Sequence, residues 1–273
     1  MNNIKIVVSD LDGTLVLSDM TISPENCEAI KKLAERGIHF AVSTGRTYGI
    51  IPKCVTENEY IRYISTANGT TVYDKALGKN IIENYVENAD KISALNIIDD
   101  YDVLMCIHAS GESYYEESKL NSEVYKKYHV NASFQKVFSN MPTTPDVRDL
   151  AENIDTVESI ILFFAFDGEL SRCKSRLEKL SGIKVTSSIE HNIEICSAKA
   201  GKENGLLNLL RILKLSPDEC LALGDSTNDV GMFLVSGHSI CTANGNEEAK
   251  AAAKIVGPKN DEHIVKFVYE NLI

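Results

Sequence analysis

The chain has 273 residues, 44% hydrophobic and 25% charged, with a formal net charge of −11. These values describe a water-soluble globular chain with enough apolar side chains for one large domain or two modest ones. The negative balance argues against nonspecific binding to nucleic acid polymers or anionic membranes, and any anionic ligand must be met by local positive charge. Seven cysteines (27, 54, 106, 173, 196, 220 and 241) are scattered without a CxxC pair, which reads as reduced thiols in a cytoplasmic protein. The opening MNNIKIVVSD lacks the basic and long apolar regions of a signal peptide, and the longest apolar run, IILFFAF at 160–166, is far short of a membrane span.

In chain order, residues 4–8 (IKIVV) read as a strand, and Ser23 with Pro24 reads as the start of a helix. Cys27, Ile30, Leu33 and Ala34 give that helix one apolar face, Gly37 ends it, and 38–45 is strand-like again. Continuous apolar strands joined by a helical crossover imply a parallel sheet covered on both faces. The middle of the chain differs, with candidate strands in clusters: 81–86, 102–109, 112–117, 157–166 and 183–188. Helices are expected near 89–100, 119–128 and 169–180. Tight turns such as ASGES at 109–113 predict an antiparallel sheet with helices on one face. The first grammar then returns: a leucine-faced helix from Lys202, a short strand at 220–225, and strand and helix alternating to the C-terminus. The expectation is an α/β fold, with a Rossmann-like doubly wound core (1–80 and 191–273) interrupted by an inserted α+β cap domain (81–190).

The chemistry is concentrated in four short stretches, each expected at the C-terminal end of a parallel strand: Asp10 and Asp12, Thr44 with Gly45, Lys202 just before a helix, and GDSTND at 224–229. In a doubly wound sheet, ligands bind beyond the carboxyl ends of the strands, so residues distant in sequence converge there. Burying two neighbouring carboxylates is costly unless a cation sits between them. Asp10, Asp12, Asp225 and Asp229 are all oxygen donors with no His or Cys beside them, which favours Mg²⁺ over zinc or copper. Thr44 and the loop amide at Gly45 can donate to phosphoryl oxygens, and Lys202 can supply positive charge. An aspartate can attack phosphorus covalently while a second donates and accepts protons. The Gly13 break is expected to begin early enough to swing Asp12 round towards Asp10.

DLDGTL at 10–15, STGR at 43–46, a lysine ahead of a helix and GDSTND resemble the haloacid dehalogenase (HAD) superfamily of phosphatases, and the insert makes the chain similar to its Cof-like members. The resemblance spans the whole chain. It implies a Mg²⁺-dependent phosphatase of a small phosphorylated metabolite, with sugar phosphates the usual substrates, working through an aspartyl-phosphate on Asp10 under a closing cap. Position by position, it implies Asp10 as nucleophile and metal ligand, and Asp12 as acid/base whose carbonyl also binds metal. It makes the amide of Leu11, Thr44, Gly45 and Lys202 phosphate ligands, Asp225 a metal ligand, Asn228 an orienting group, and Asp229 a contributor from behind the metal. The family commonly has glycine after its lysine, whereas KAGKENG offers both Lys199 and Lys202, the latter followed by Glu203; spacing from Ile195 favours Lys202.

Plainer readings stand beside these. Arg46 can pair with a carboxylate or touch substrate, and Asn68-Gly69 reads as a hairpin or loop turn with a substrate role left open. A phosphomutase would use the same aspartate chemistry, and a non-catalytic phosphate sensor would keep the fold, although the presence of Asp12 counts against the sensor. A monomer is the default expectation and a dimer the alternative.

Overall fold

In the computed structural model, residues 3–130, 135, 141–187 and 190–273 are described. The chain divides into two compact units: one takes in residues up to Arg46, Ile50–Glu83 and Gly201–Ile273, the other Thr47–Gly49 and Asn84–Ala200.

The first unit begins with β1 (Ile6–Ser9), α1 (Pro24–Glu35), β2 (His39–Ser43), α2 (Lys53–Thr56) and β3 (Ile61–Thr66). The start of α1 is the one expected, with Asn26 N–H donating to the Ser23 side chain. Two short strands follow, β4 (Thr71–Asp74) and β5 (Lys79–Glu83), and both pair antiparallel. The strand expected at 81–86 is therefore β5, at the edge of the first sheet. Asn68-Gly69 lies in the connection of the β3–β4 hairpin, with Ala67, Asn68 and Gly69 all at positive φ.

The second unit holds α3 (Asn88–Ile98), β6 (Val103–Ala109), β7 (Glu112–Glu116), α4 (Ser122–Lys127) and β8 (Thr143–Thr144). It continues with α5 (Val147–Asn153), β9 (Val157–Phe164), α6 (Asp167–Leu177), β10 (Ile183–Thr186) and β11 (Asn192–Ser197). Its six strands run in the order β10-β11-β9-β6-β7-β8, antiparallel except for the β7–β8 pair. β11 lies beyond the sequence-based limit at 190 and pairs with β9, so it belongs to this sheet. The helices were expected on one face only; both faces are covered. Ile160, Leu162 and Phe164 of β9 enter one apolar cluster with residues of α3, α5 and α6, while Ile161 and Phe163 enter another with Tyr115, Tyr128 and Val130. An uninterrupted apolar run such as IILFF puts large side chains on both sides of a strand, and each side needs a cover.

The chain returns to the first unit with α7 (Lys202–Leu213), β12 (Cys220–Gly224), α8 (Val230–Val235), β13 (His238–Cys241), α9 (Glu247–Ala252), β14 (Ile255–Val256) and α10 (Ile264–Asn271). The eight-stranded sheet runs β14-β13-β12-β1-β2-β3-β4-β5, parallel from β14 to β3. Ile6, Val8, Ala41 and Ala222 pack with Leu206, Leu209 and Phe233 from α7 and α8. α1 and α10 pack together, with Ile30, Leu33, Ile264 and Val265 buried. Among the described residues, no helix is long and apolar enough to cross a membrane.

The site depends on one feature of this order. β1 lies between β2, which follows it in sequence, and β12, which arrives from the far end of the chain. At such a reversal the connections leave in opposite directions and open a crevice beyond the strand ends.

Phe163 is fully buried on the second face of β9. Phe163→Ala is expected to destabilise the protein by about 3–5 kcal/mol through lost burial and a residual cavity, read as a shift in the denaturation midpoint.

Candidate active site

Asp10 follows the last residue of β1 and Asp225 follows the last residue of β12, on adjacent parallel strands. Asp10 N–H donates to Leu223 O at 2.9 Å, so the ladder carries on to the carboxylate itself. Residues Leu11–Leu15 then form one wide turn, closed by Val16 N–H donating to Leu11 O at 3.0 Å. The bend begins at Asp12 (φ −80°, ψ 124°) and continues at Gly13 (φ +75°). A side chain at Gly13 would be strained by that φ, and its Cβ would press on the Asp225 carboxylate. Asn244 Nδ2 and Thr242 Oγ1 hold the Gly13 carbonyl at 2.8 and 3.3 Å.

Lys202 is the first residue of α7, not the end of a parallel strand. The start of this helix presses on the hairpin connection: Gly201 N–H donates to Asn68 O at 2.8 Å, and a Cβ on Gly69 (φ +82°) would strike the Gly201 carbonyl. The fully buried ammonium of Lys202 lies 2.5 Å from Asp10 Oδ1 and 2.7 Å from Asp229 Oδ1. The second oxygen of Asp229 accepts from the backbone N–H groups of Asp225 and Ser226 at 2.9 and 3.0 Å. Asp229 thus spends its carboxylate on tying Lys202 to the 225–226 loop. Lys199 is elsewhere, in an exposed pair with Glu87 at 2.6 Å.

The other expected residues fall as follows. Thr44, buried beyond β2, accepts Arg46 N–H on Oγ1 at 3.2 Å, which leaves the hydroxyl proton for donation. Gly45 sits against Asn68, where a Cβ would lie 3.3 Å from Oδ1. Asn228 is exposed; its Nδ2 donates to Asn68 Oδ1 at 3.1 Å and its Oδ1 accepts from Ser226 Oγ at 2.6 Å. Leu11 is the first residue of the wide turn, and its side chain is buried. The Asp12 carboxylate is half exposed and turned to Arg46, with both oxygens engaged at 2.7 and 2.8 Å. Sequence reasoning read Asn68 as a turn with a substrate role left open, and missed Asn244 and Thr242. The left-handed Asn-Gly was the only available signal for the first, and the two supports of Gly13 had none.

Carboxylate oxygens of Asp10, Asp225 and Asp229 lie within 4.8 Å of one another. Burial pushes Asp10 up to about 8, and the Asp229 charge adds to this against the pull of Lys202. Burial and Asp229 likewise raise Asp225 to about 6. On Lys202, burial opposes the charge, but Asp10 and Asp229 outweigh it and hold the pKa above the usual lysine value. When all are ionised, the three carboxylates exceed the single ammonium by two charges. A divalent cation fits that excess, and the all-oxygen donor set suits a hard one.

A profile of the haloacid dehalogenase-like hydrolases matches residues 7–268. The chain is 30% identical to 5-amino-6-(5-phospho-D-ribitylamino)uracil phosphatase YwtE of Bacillus subtilis (strain 168), over 98% of each chain. It is 23% identical to pyridoxal phosphate phosphatase YbhA of Escherichia coli (strain K12), over 98% of this chain and 99% of that one. Among solved structures, a haloacid dehalogenase-like hydrolase from B. subtilis superposes with a TM-score of 0.79 at 25% identity, covering 99% of this chain and 100% of that one. The chain belongs to the haloacid dehalogenase-like hydrolases. Within that superfamily it is a phosphatase, a hydrolase of phosphate monoesters.

Raised carboxyl pKa values favour the protonated fold, so this contribution is whole below the unfolded value near 4 and is lost as pH rises through about 6 and then 8. In EDTA the melting temperature is expected to fall across that window. Mg²⁺ should flatten the slope, and Asp10→Asn should remove most of it. Melting curves at stepped pH check this.

Proposed function

We propose that the protein is a Mg²⁺-dependent phosphatase that hydrolyses a small phosphorylated metabolite, foremost a sugar phosphate, through an aspartyl-phosphate on Asp10. The observation that carries this reading is the buried group of Asp10, Lys202 and Asp229 beside Asp225, at the strand-order reversal. Asp10, Asp225 and the Asp12 carbonyl would hold Mg²⁺, with Asp229 contributing mainly through Lys202 and the loop amides it already binds. When bound, the ion supplies positive charge against carboxylate and phosphoryl oxygens.

The residues then divide the work. A carboxylate oxygen of Asp10 attacks phosphorus, and the bond from phosphorus to the leaving oxygen breaks as Asp12 gives that oxygen a proton. Asp12 next takes a proton from water, which attacks phosphorus; the bond to Asp10 breaks and inorganic phosphate leaves. Lys202, the Thr44 hydroxyl and the amides of Leu11 and Gly45 donate to the phosphoryl oxygens, where negative charge builds up. Asn228 fixes the phosphate edge together with Asn68, its hydrogen-bond partner. The second unit is read as the specificity domain.

The compounds named for the two curated relatives, a ribitylaminouracil phosphate and pyridoxal phosphate, are both phosphate monoesters of a primary alcohol. An alkoxide is a poor leaving group, so such substrates need the proton that Asp12 would deliver. A matching panel of sugar phosphates, pyridoxal phosphate, ribityl phosphates and nucleotides forms the test, assayed for phosphate release with Mg²⁺ and with EDTA. Release should require Mg²⁺ and fall by at least about 10³-fold in Asp10→Asn. Undiminished release by that variant would overturn the mechanism. A folded, Mg²⁺-binding protein inert on the whole panel would instead bring forward the mutase, recognised by dependence on a bisphosphate activator.

A further inference from the structure

Arg46 stands just past the Thr44-Gly45 pair, and its guanidinium is held on three sides. Nε donates to Asp12 Oδ2 at 2.8 Å, Nη2 to Asp12 Oδ1 at 2.7 Å, and Nη1 to the Ile50 carbonyl at 3.0 Å. Its backbone is fixed too: Arg46 N–H donates to Thr44 Oγ1 at 3.2 Å, and Arg46 O accepts Ala67 N–H at 2.9 Å. The fork therefore has a rigid base.

Asp12 has no such base. It sits at the bend of the wide turn, with its side chain 50% exposed. Among the described residues, its carboxylate accepts hydrogen bonds from Arg46 alone. A side chain so placed is free to sample several staggered rotamers, and a planar two-pronged fork selects one of them. An ion pair this exposed contributes little to stability, because water screens it. Its consequence is orientation. Catalytic groups need placement within a fraction of an ångström, and a misplacement of about 1 Å costs on the order of 100-fold.

We propose that Arg46 is the positioning residue for Asp12, its two-pronged hydrogen bond setting where that carboxylate meets the leaving oxygen. The inference rests on the reading of Asp12 as acid and base. Lysine cannot take the place of arginine here, since a single ammonium offers a point charge and not a planar fork.

The test compares kcat/KM, which covers the steps through departure of the leaving group, for a primary-alkyl phosphate and for p-nitrophenyl phosphate, whose leaving group needs no proton. Arg46→Gln, Arg46→Lys, Asp12→Asn and the double variant Arg46→Gln/Asp12→Asn are measured, with melting curves to confirm folding. Arg46→Gln should lower kcat/KM for the alkyl phosphate about 10- to 100-fold, through kcat more than KM, and for p-nitrophenyl phosphate less than about threefold. Arg46→Lys should recover only part of the loss. In the Asp12→Asn background, the Arg46→Gln change should have almost no further effect. Equal losses on both substrates, a loss confined to KM, full recovery by lysine, or an undiminished Arg46 effect without Asp12 would each overturn the proposal. If Asp12→Asn alone leaves alkyl phosphate turnover intact, the reading of Asp12 fails, and the inference falls with it for a reason the data identify.

Discussion

A fully buried ammonium is the constraint on which the rest of this structure depends. Lys202 is withdrawn from water, and Asp10 and Asp229 are the groups that make this tolerable. Each partner has to arrive by a different route. Asp10 comes off the end of β1, Asp229 from the loop after β12, and Lys202 from the first turn of α7. The strand order puts β1 beside β12, and the close approach of Gly69 to Gly201 lets the helix start near enough for the lysine to reach both carboxylates. Removing Lys202 leaves both carboxylates buried without a cation, whereas removing either carboxylate leaves the ammonium one partner.

The balance of charge is why we read the cluster as a site and not only a brace. One ammonium does not balance three carboxylates, and burial already pushes Asp10 and Asp225 towards their neutral forms. A pocket that prefers fewer negative charges than its own side chains carry is disposed to take up a cation. Around this rigid centre, Asp12 is the exception. It is half exposed, set on a bend and hydrogen-bonded to the partly buried Arg46, which suits the proton-exchanging role proposed for it.

Much of this was legible in the sequence because the signals are local. Asp10 and Asp225 could be placed from short apolar runs ending in acidic residues, since a strand end is marked by its own neighbours. Spacing from Ile195 favoured Lys202 over Lys199, and in the structure Lys202 lies against Asp10 while Lys199 pairs with Glu87. What was not legible depends on partners far away in the chain. Nothing near Asn244 indicates that it holds the carbonyl of Gly13, and nothing near Arg46 says which carboxylate it will meet. β5 was expected at 81–86 but counted with the insert, while its neighbours β3 and β4 escaped for a different reason. They are short, lie towards one edge of the sheet and mix polar with apolar residues, so their periodicity is weak. In the second unit the apolar run of β9 was plain, but the cover on its second face, from Tyr128 and Val130, was not foreseeable from strand pattern alone.

The central claim is that the Asp10 carboxylate forms a bond to phosphorus during turnover. The most direct measurement is to quench the enzyme in acid during turnover, reduce it with borohydride and map the digested peptides by mass, because an acyl phosphate of aspartate is reduced to homoserine while a free carboxylate is not. The account predicts homoserine at position 10, dependent on Mg²⁺ and substrate. Homoserine at position 225 or 229, or active enzyme with none at any aspartate, would contradict it.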